Sequence, residues 1–182
     1  TFFICEDLSR FSLHRLMHRL PFLCRFHRVH HSAEILTPLT LNRVHPVEMS
    51  LYFLRGFLVF SVVSGVFIYL AGSKLTALEI LGVDALGFLF NLLGANLRHS
   101  HIWLSFGPLE RWFISPAQHQ MHHSADIQHR DKNFGTCLAC WDKWFGSWVE
   151  AGSRRRFSFG LTLMNSSMNS SINSSLNSSA NK

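Results

Sequence analysis

Twelve histidines occur in this chain of 182 residues, and eight of them lie at intervals that suit metal ligation. His14 and His18 form H-x-x-x-H in HRLMH. His27, His30 and His31 form H-x-x-H-H in HRVHH, and His119, His122 and His123 repeat that pattern in HQMHH. On a helix, residues three and four apart are neighbours, so each group can offer two or three imidazole nitrogens to a single cavity. A solvated basic face would account for one such group but not for three. Imidazole suits zinc, copper, iron and nickel alike. Eight or more histidines exceed the four ligands of one tetrahedral zinc, and H-E-x-x-H is absent, so two metals are implied.

Other residues near these boxes bear on the same chemistry. Asp7, Phe11, His14 and His18 fall on one helical stripe. Asp7 therefore either accepts the second ring N–H of a ligand histidine and fixes its tautomer, or is a charge at a helix N-terminus. Cys137 and Cys140 form a C-x-x-C with no second pair nearby, which reads as two small apolar residues on a buried turn.

The elements that must position the histidines belong to a membrane protein. Hydrophobic residues make up 47% of the chain and charged ones 15%, with 17 Phe and 5 Trp. Residues 51–72 carry only Arg55, placed to snorkel, and form one candidate transmembrane helix. Residues 75–95 form a second, interrupted by Glu79, Asp84 and Asn91. Asp84 should face the bundle interior or a polar cavity. The link Gly72-Ser73-Lys74 allows only a tight antiparallel hairpin, which returns the chain to the side it left. All the histidines lie in the two flanks.

Six Lys/Arg precede residue 51 and eight lie between 96 and 164, while only Arg55 and Lys74 lie between. This asymmetry places both flanks in the cytoplasm and assigns the net charge of +6 to a membrane face, with no nucleic-acid partner. The expected architecture is all-α. It is an integral-membrane helical bundle with a transmembrane hairpin and a cytoplasmic histidine-rich helical cap holding a dimetal site. Residues 1–164 make one domain; residues 165–182, an Asn-Ser-Ser repeat, make a disordered tail without assigned function. Thr1 stands inside an apolar run, and the chain reads as N-terminally truncated.

The three boxes, the run RFHRVHHSAE, the segment NRVHPVE and the closing NFGTCLACWDKWFGSW resemble the fatty acid hydroxylase/sterol desaturase family over roughly residues 5 to 150. Phe11 stands where tyrosine is common in that family. The resemblance implies a non-haem di-iron centre at the cytoplasmic membrane face, in the endoplasmic reticulum of a eukaryote or the inner membrane of a bacterium. It makes His14, His18, His27, His30, His31, His119, His122 and His123 ligands, and adds His99 as the ligand that follows the hairpin. His45, His101 and His129 are each a ligand, a second-layer donor or an ordinary interfacial side chain. The metals implied are two Fe ions, with zinc a substitute in preparations and O2 as co-substrate.

The activity implied is O2-dependent hydroxylation or desaturation of a lipid, sterol or fatty-acyl in type. An unactivated C–H bond offers no handle to acid–base or nucleophilic catalysis, which agrees with a metal and O2. No dinucleotide-binding, haem-attachment or ferredoxin motif occurs, so electrons must come from a separate donor, a small cytochrome or ferredoxin type. The aromatic residues Trp103, Phe106, Trp112 and Phe113 either anchor the interface or roof the site. The rival readings are a non-catalytic membrane metal-binding or lipid-binding protein, inactive through truncation, and a b-type haem protein, which needs only one axial histidine pair.

Overall fold

The computed structural model describes residues 2–71, 89, 92, 94–153 and 157–161. The second candidate span, Asp84 and the Asn-Ser-Ser repeat lie outside the described residues, apart from a few helical positions near residue 95. Among the described residues the chain is helical with no strand, and only two isolated β-bridges, Phe113 with Leu138 and Ser124 with Phe159, pair extended backbone.

Helix α1 (Phe2–Arg19) carries the first histidine box and ends because Pro21 follows. A residue preceding proline is pushed out of the helical region, and Leu20 is accordingly extended at φ −94° and ψ 116°. Pro21 then occupies the first turn of α2 (Pro21–His27), where its missing N–H is no loss. The break folds α2 back beside α1 and brings the second box against the first.

The second box is not one α-helix, contrary to what its spacing suggests. His27 closes α2, and His30–Ser32 form a separate 3₁₀ turn. The third box is nearer expectation. Helix α4 (Pro116–His122) contains His119 and His122, with His123 as its C-cap. Ser115 caps its first turn by accepting from the Gln118 N–H at 3.2 Å, and the Gln118 side chain accepts in return from the Ser115 N–H at 3.0 Å. All seven residues of α4 are buried, so this short helix is held by packing on every side.

Between these parts runs α3 (Pro46–Ala71), which has 26 residues and packs on α1 and α2 at its N-terminal end. At 1.5 Å per residue it reaches about 39 Å, more than the roughly 30 Å hydrocarbon layer. Beyond the buried Glu48, no residue from 49 to 70 is buried among the described residues, and Phe53, Phe57, Tyr69 and Leu70 are all exposed. A helix apolar on all sides and uncovered by protein needs lipid around it. Arg55 does not snorkel. Its guanidinium donates to both oxygens of Glu6 on α1 at 2.8 Å and to Ser9 Oγ at 2.6 Å, a two-pronged tie between the span and the first histidine helix.

The closing segment, including α5 (Cys140–Trp144), wraps over α1. Phe11, Phe134 and Trp141 form one small core, and Ala117, Met121 and Ala151 form another. Buried carboxylates hold the loops between them. Asp142 accepts from the backbone N–H groups of Phe134 (2.9 Å) and Gly135 (2.7 Å) and from Ser147 Oγ. Glu110 accepts from Ser105 Oγ, Ser115 Oγ and the Ala151 N–H. A Cβ on Gly135 would lie 2.8 Å from both Asp142 Oδ2 and Ile114 Cγ1, so no other residue fits there without displacement.

Candidate metal centre

Nine histidines converge in two adjoining clusters. One holds His14, His18, His27, His31 and His122; the other holds His30, His99, His119 and His123. Within each cluster, one potential ligand atom from every residue lies within 4.8 Å of the others. The clusters touch, with the His31 and His123 rings stacked at 4.4 Å between centroids. Each H-x-x-H-H box is therefore shared between the two. Residues i and i+4 differ by only about 40° around a helix, whereas i+3 and i+4 differ by about 100°. His27 and His31 accordingly serve the first cluster while His30 turns to the second. His119 and His123 serve the second while His122 turns to the first. The sequence spacing alone suggested one cavity per box.

The first cluster is oriented from behind by oxygen acceptors. Nδ1 of His14 lies 2.9 Å from the Phe134 carbonyl, and that of His122 lies 2.7 Å from the Lys132 carbonyl. Nδ1 of His18 faces Asp131 at 3.3 Å, and that of His27 faces Glu48 at 2.7 Å. A ring nitrogen facing an oxygen acceptor must carry the proton, which leaves Nε2 as a lone pair directed inward. Nε2 of His14, His18 and His122 is buried with no hydrogen-bond partner. Asp131 and Asn133 have positive φ, 57° and 53°, a conformation that Asp and Asn tolerate better than most residues. That twist turns the Lys132 and Phe134 carbonyls toward the cluster, and the Phe134 ring packs under His14, His18 and His122.

The second cluster has fewer such supports. His99 Nδ1 lies 3.5 Å from Thr40 Oγ1, while Nδ1 of His30 and His119 have no partner. Its rings approach one another directly, with Nε2 to Nε2 distances of 3.0 Å for His119 and His99 and 3.2 Å for His123 and His119. In the first cluster His31 and His27 also meet at 3.2 Å. Two imidazole nitrogens each about 2.1 Å from one ion, at right angles, stand about 3.0 Å apart. The unpartnered inward lone pairs and these separations fit two metal ions, one among five imidazoles and one among four.

Burial keeps these rings neutral, the state in which they ligate metals. Desolvation pushes His27 and His30 down to about 4 and His99 to about 3, with repulsion from neighbouring imidazoles adding to the fall for His30 and His99. The other six lie well below the usual histidine range, first through burial and then through the same mutual repulsion.

A chamber of about 220 Å³ opens beside both clusters. His14 and His27 of the first and His30, His99 and His119 of the second line it. Leu41, Val44, Ala95 and Tyr52 supply apolar surface, and Arg10, Arg98 and Glu48 supply charge. Trp103, Phe106, Trp112 and Phe113 do not line this chamber. Trp103 packs on Phe157, and Trp112 is 70% exposed.

His45 stands outside both clusters, tilted over Phe26 and accepting from the Val47 N–H. His101 is exposed, and His129 is buried against Phe157. Asp7 plays neither of its two expected parts. It is buried and accepts from the Cys137 N–H (3.0 Å), the Leu138 N–H (3.0 Å) and Trp141 Nε1 (2.9 Å), clamping the closing segment onto α1. Cys137 is buried and free, and its thiol is pushed up to about 11 by burial, in keeping with a structural residue. Glu48, Asp131, Thr40 and the two carbonyls were not found from sequence, because they lie 10 to 120 residues from the rings they face.

An all-helical protein with an apolar helix long enough to cross a membrane and two adjoining multi-histidine clusters defines a narrow class. The fatty acid hydroxylase family model matches residues 1–147, and the chain belongs to that family. It is 30% identical over 160 residues to alkylglycerol monooxygenase of Danio rerio and 28% identical to that of Homo sapiens, covering 88% of this chain and 32% of each relative. It is 27% identical to ornithine lipid hydroxylase OlsE of Rhizobium tropici, covering 87% of this chain and 44% of that relative. The chain thus spans between about a third and somewhat under half of the length of these relatives. No solved structure matches it.

Proposed function

We propose that this chain carries the catalytic centre of a membrane-bound, O2-dependent lipid hydroxylase that uses two non-haem iron ions. The observation that carries this reading is the pair of adjoining clusters of buried, neutral imidazoles facing one chamber. Zinc has no redox chemistry, whereas iron accepts imidazole ligands and can pass electrons to O2. When bound, the iron pair would supply the oxidising power that a C–H bond requires.

His14, His18, His27, His31 and His122 would hold one ion, and His30, His99, His119 and His123 the other. Phe134 and the Lys132 and Phe134 carbonyls orient the first set, and Glu48 fixes the His27 ring with Nε2 inward. Leu41, Val44 and Ala95 exclude water from the side of the chamber where an alkyl carbon would rest. The uncovered apolar helix α3 supports a bilayer setting, in which a lipid tail would reach the chamber from the hydrocarbon layer. The transmembrane hairpin and the cytoplasmic position of the histidine cap rest on the Lys/Arg distribution. The relatives named as a monooxygenase and a hydroxylase of lipids favour hydroxylation over desaturation. Electrons would come from a separate donor of small cytochrome or ferredoxin type.

The test supplies full-length protein in membranes with iron, a reducing system and labelled O2, and follows the label in extracted lipids by mass spectrometry. Incorporation of one labelled oxygen atom per product, abolished in a His122→Ala variant, is the expected result. Equal lipid profiles for the two proteins would leave a non-catalytic metal-binding protein.

A further inference from the structure

The chamber has a charged wall that the histidines do not explain. Arg98 lines it and donates to the Thr136 carbonyl at 3.1 Å, and no carboxylate lies within ion-pair distance of it among the described residues. Arg10 lines the same chamber. It is paired with Glu6 at 2.9 Å, but Glu6 is also gripped by both terminal nitrogens of Arg55, so one carboxylate answers two guanidinium groups. Among the described residues the one acidic side chain lining the chamber is Glu48, and its Oε1 is committed to His27. Positive charge therefore exceeds negative charge on this wall. A guanidinium is protonated at neutral pH in proteins, so both arginines bring full positive charge to the chamber.

Asp7, the carboxylate that attracts Arg98, is engaged by the Cys137 and Leu138 N–H groups and by Trp141 Nε1 and forms no ion pair with it, so the planar guanidinium fork keeps donors that match the oxygens of a phosphate or carboxylate. Leu41, Val44 and Ala95 supply apolar lining to the same chamber. The volume equals the liquid share of about seven water molecules, enough for a polar group and a few carbons but not for a whole lipid.

We propose that Arg98, assisted by Arg10, is an oxyanion-binding wall, so that the lipid enters with a phosphate or carboxylate oxygen on these guanidinium groups and its adjoining alkyl carbons before the histidine clusters. This rests on the chamber being the substrate site of the proposed hydroxylase, and it specifies that substrate as an anionic lipid. The oxidised carbon would then lie within a few bonds of the anionic group rather than at the far end of a chain.

The test measures binding without turnover. Full-length, zinc-loaded protein in neutral detergent is titrated with short-chain phosphatidic acid, with hexanoate, with inorganic phosphate and with the uncharged diacylglycerol of equal chain length. An anionic lipid is expected to bind at least tenfold more tightly than the uncharged analogue. The phosphate and carboxylate arms tell which oxyanion is preferred, and the inorganic phosphate arm tells whether the alkyl part contributes. Arg98→Gln should remove most of the tenfold preference, Arg98→Lys should restore part of it, and Arg10→Gln should have a smaller effect. Metal content and helicity of each variant show that it has folded. Equal affinity for charged and uncharged lipid, or an unchanged preference in folded Arg98→Gln, would overturn the proposal. Labelled-oxygen incorporation by the wild type reports on the hydroxylase reading separately, so failure of one is distinguishable from failure of the other.

Discussion

The two histidine clusters differ less in their donors than in what stands behind them. In the five-histidine cluster, four of the rings have Nδ1 turned to a carbonyl or carboxylate, and only His31 lacks such a partner. In the four-histidine cluster the supports are fewer, Thr40 at 3.5 Å behind His99 and the Arg43 backbone beside His30, and three of the four rings border the chamber. The lesson is that preorganisation and access are divided between the sites. Fixed tautomers favour tight and early metal binding. The less supported site keeps the room that a substrate needs.

The sharpest way to break this contrast is to remove a ring from the supported cluster. His122→Ala deletes a ligand, its link to Lys132 and a ring packed on Phe134. Loss of one metal per chain and of all lipid oxidation is expected, measured by elemental analysis and product formation. His101→Ala, on an exposed ring outside both clusters, should retain full metal content.

Next in size is the loss of a support. Glu48→Gln keeps the shape but removes the charge that holds the His27 ring, and roughly a 10- to 100-fold weaker affinity at the five-histidine site is expected. Competition with a chelator measures it. Thr40→Ala tests the other cluster, where the 3.5 Å contact predicts a change of no more than about threefold. Equal effects of the two substitutions would erase the distinction.

Acid should act on the metal-free protein through both clusters. His27 and His30 titrate near 4 and His99 near 3 when folded, against about 6.5 in an unfolded chain. These depressed values mean that the unfolded chain binds more protons between the two. The stability they contribute is complete above about 6.5 and is lost as pH falls toward 4 and below. Thermal unfolding of apoprotein across that range checks it, and bound metal should shift the loss to lower pH.

The smallest effect expected concerns the scaffold common to both clusters. Gly135→Ala places a Cβ 2.8 Å from Asp142 Oδ2 and Ile114 Cγ1, and a loss of about 1–3 kcal/mol is expected from denaturant unfolding. Because Phe134 is the neighbour that floors the five-histidine cluster, metal release should be faster there than at the other site.

The donors were legible in the sequence because helical spacing is a local property. All nine clustered histidines stand in or beside the boxes and LRHSH, and the apolar length of α3 identified its span. How the donors are shared was not legible. His27, His30 and His31 divide as His119, His122 and His123 do, because Arg28 and Val29 keep helical angles across the end of α2, but which cluster each ring reaches depends on how the boxes pack together. Supports such as Glu48 and the Phe134 carbonyl were also invisible, because only the folded chain brings them near their rings. Asp7 was misread for the same reason. Its stripe on α1 was seen, but its partners Cys137, Leu138 and Trp141 lie more than 120 residues away.

The central claim, two adjoining metal sites built from five and four histidines, is tested most directly by counting iron in full-length protein purified without oxygen and titrated with ferrous iron. Two ions per folded chain are expected, bound in two steps, with His122→Ala and His119→Ala each removing one. A single ion per folded chain, or two that are both lost with equal ease from a His101→Ala control, would contradict it.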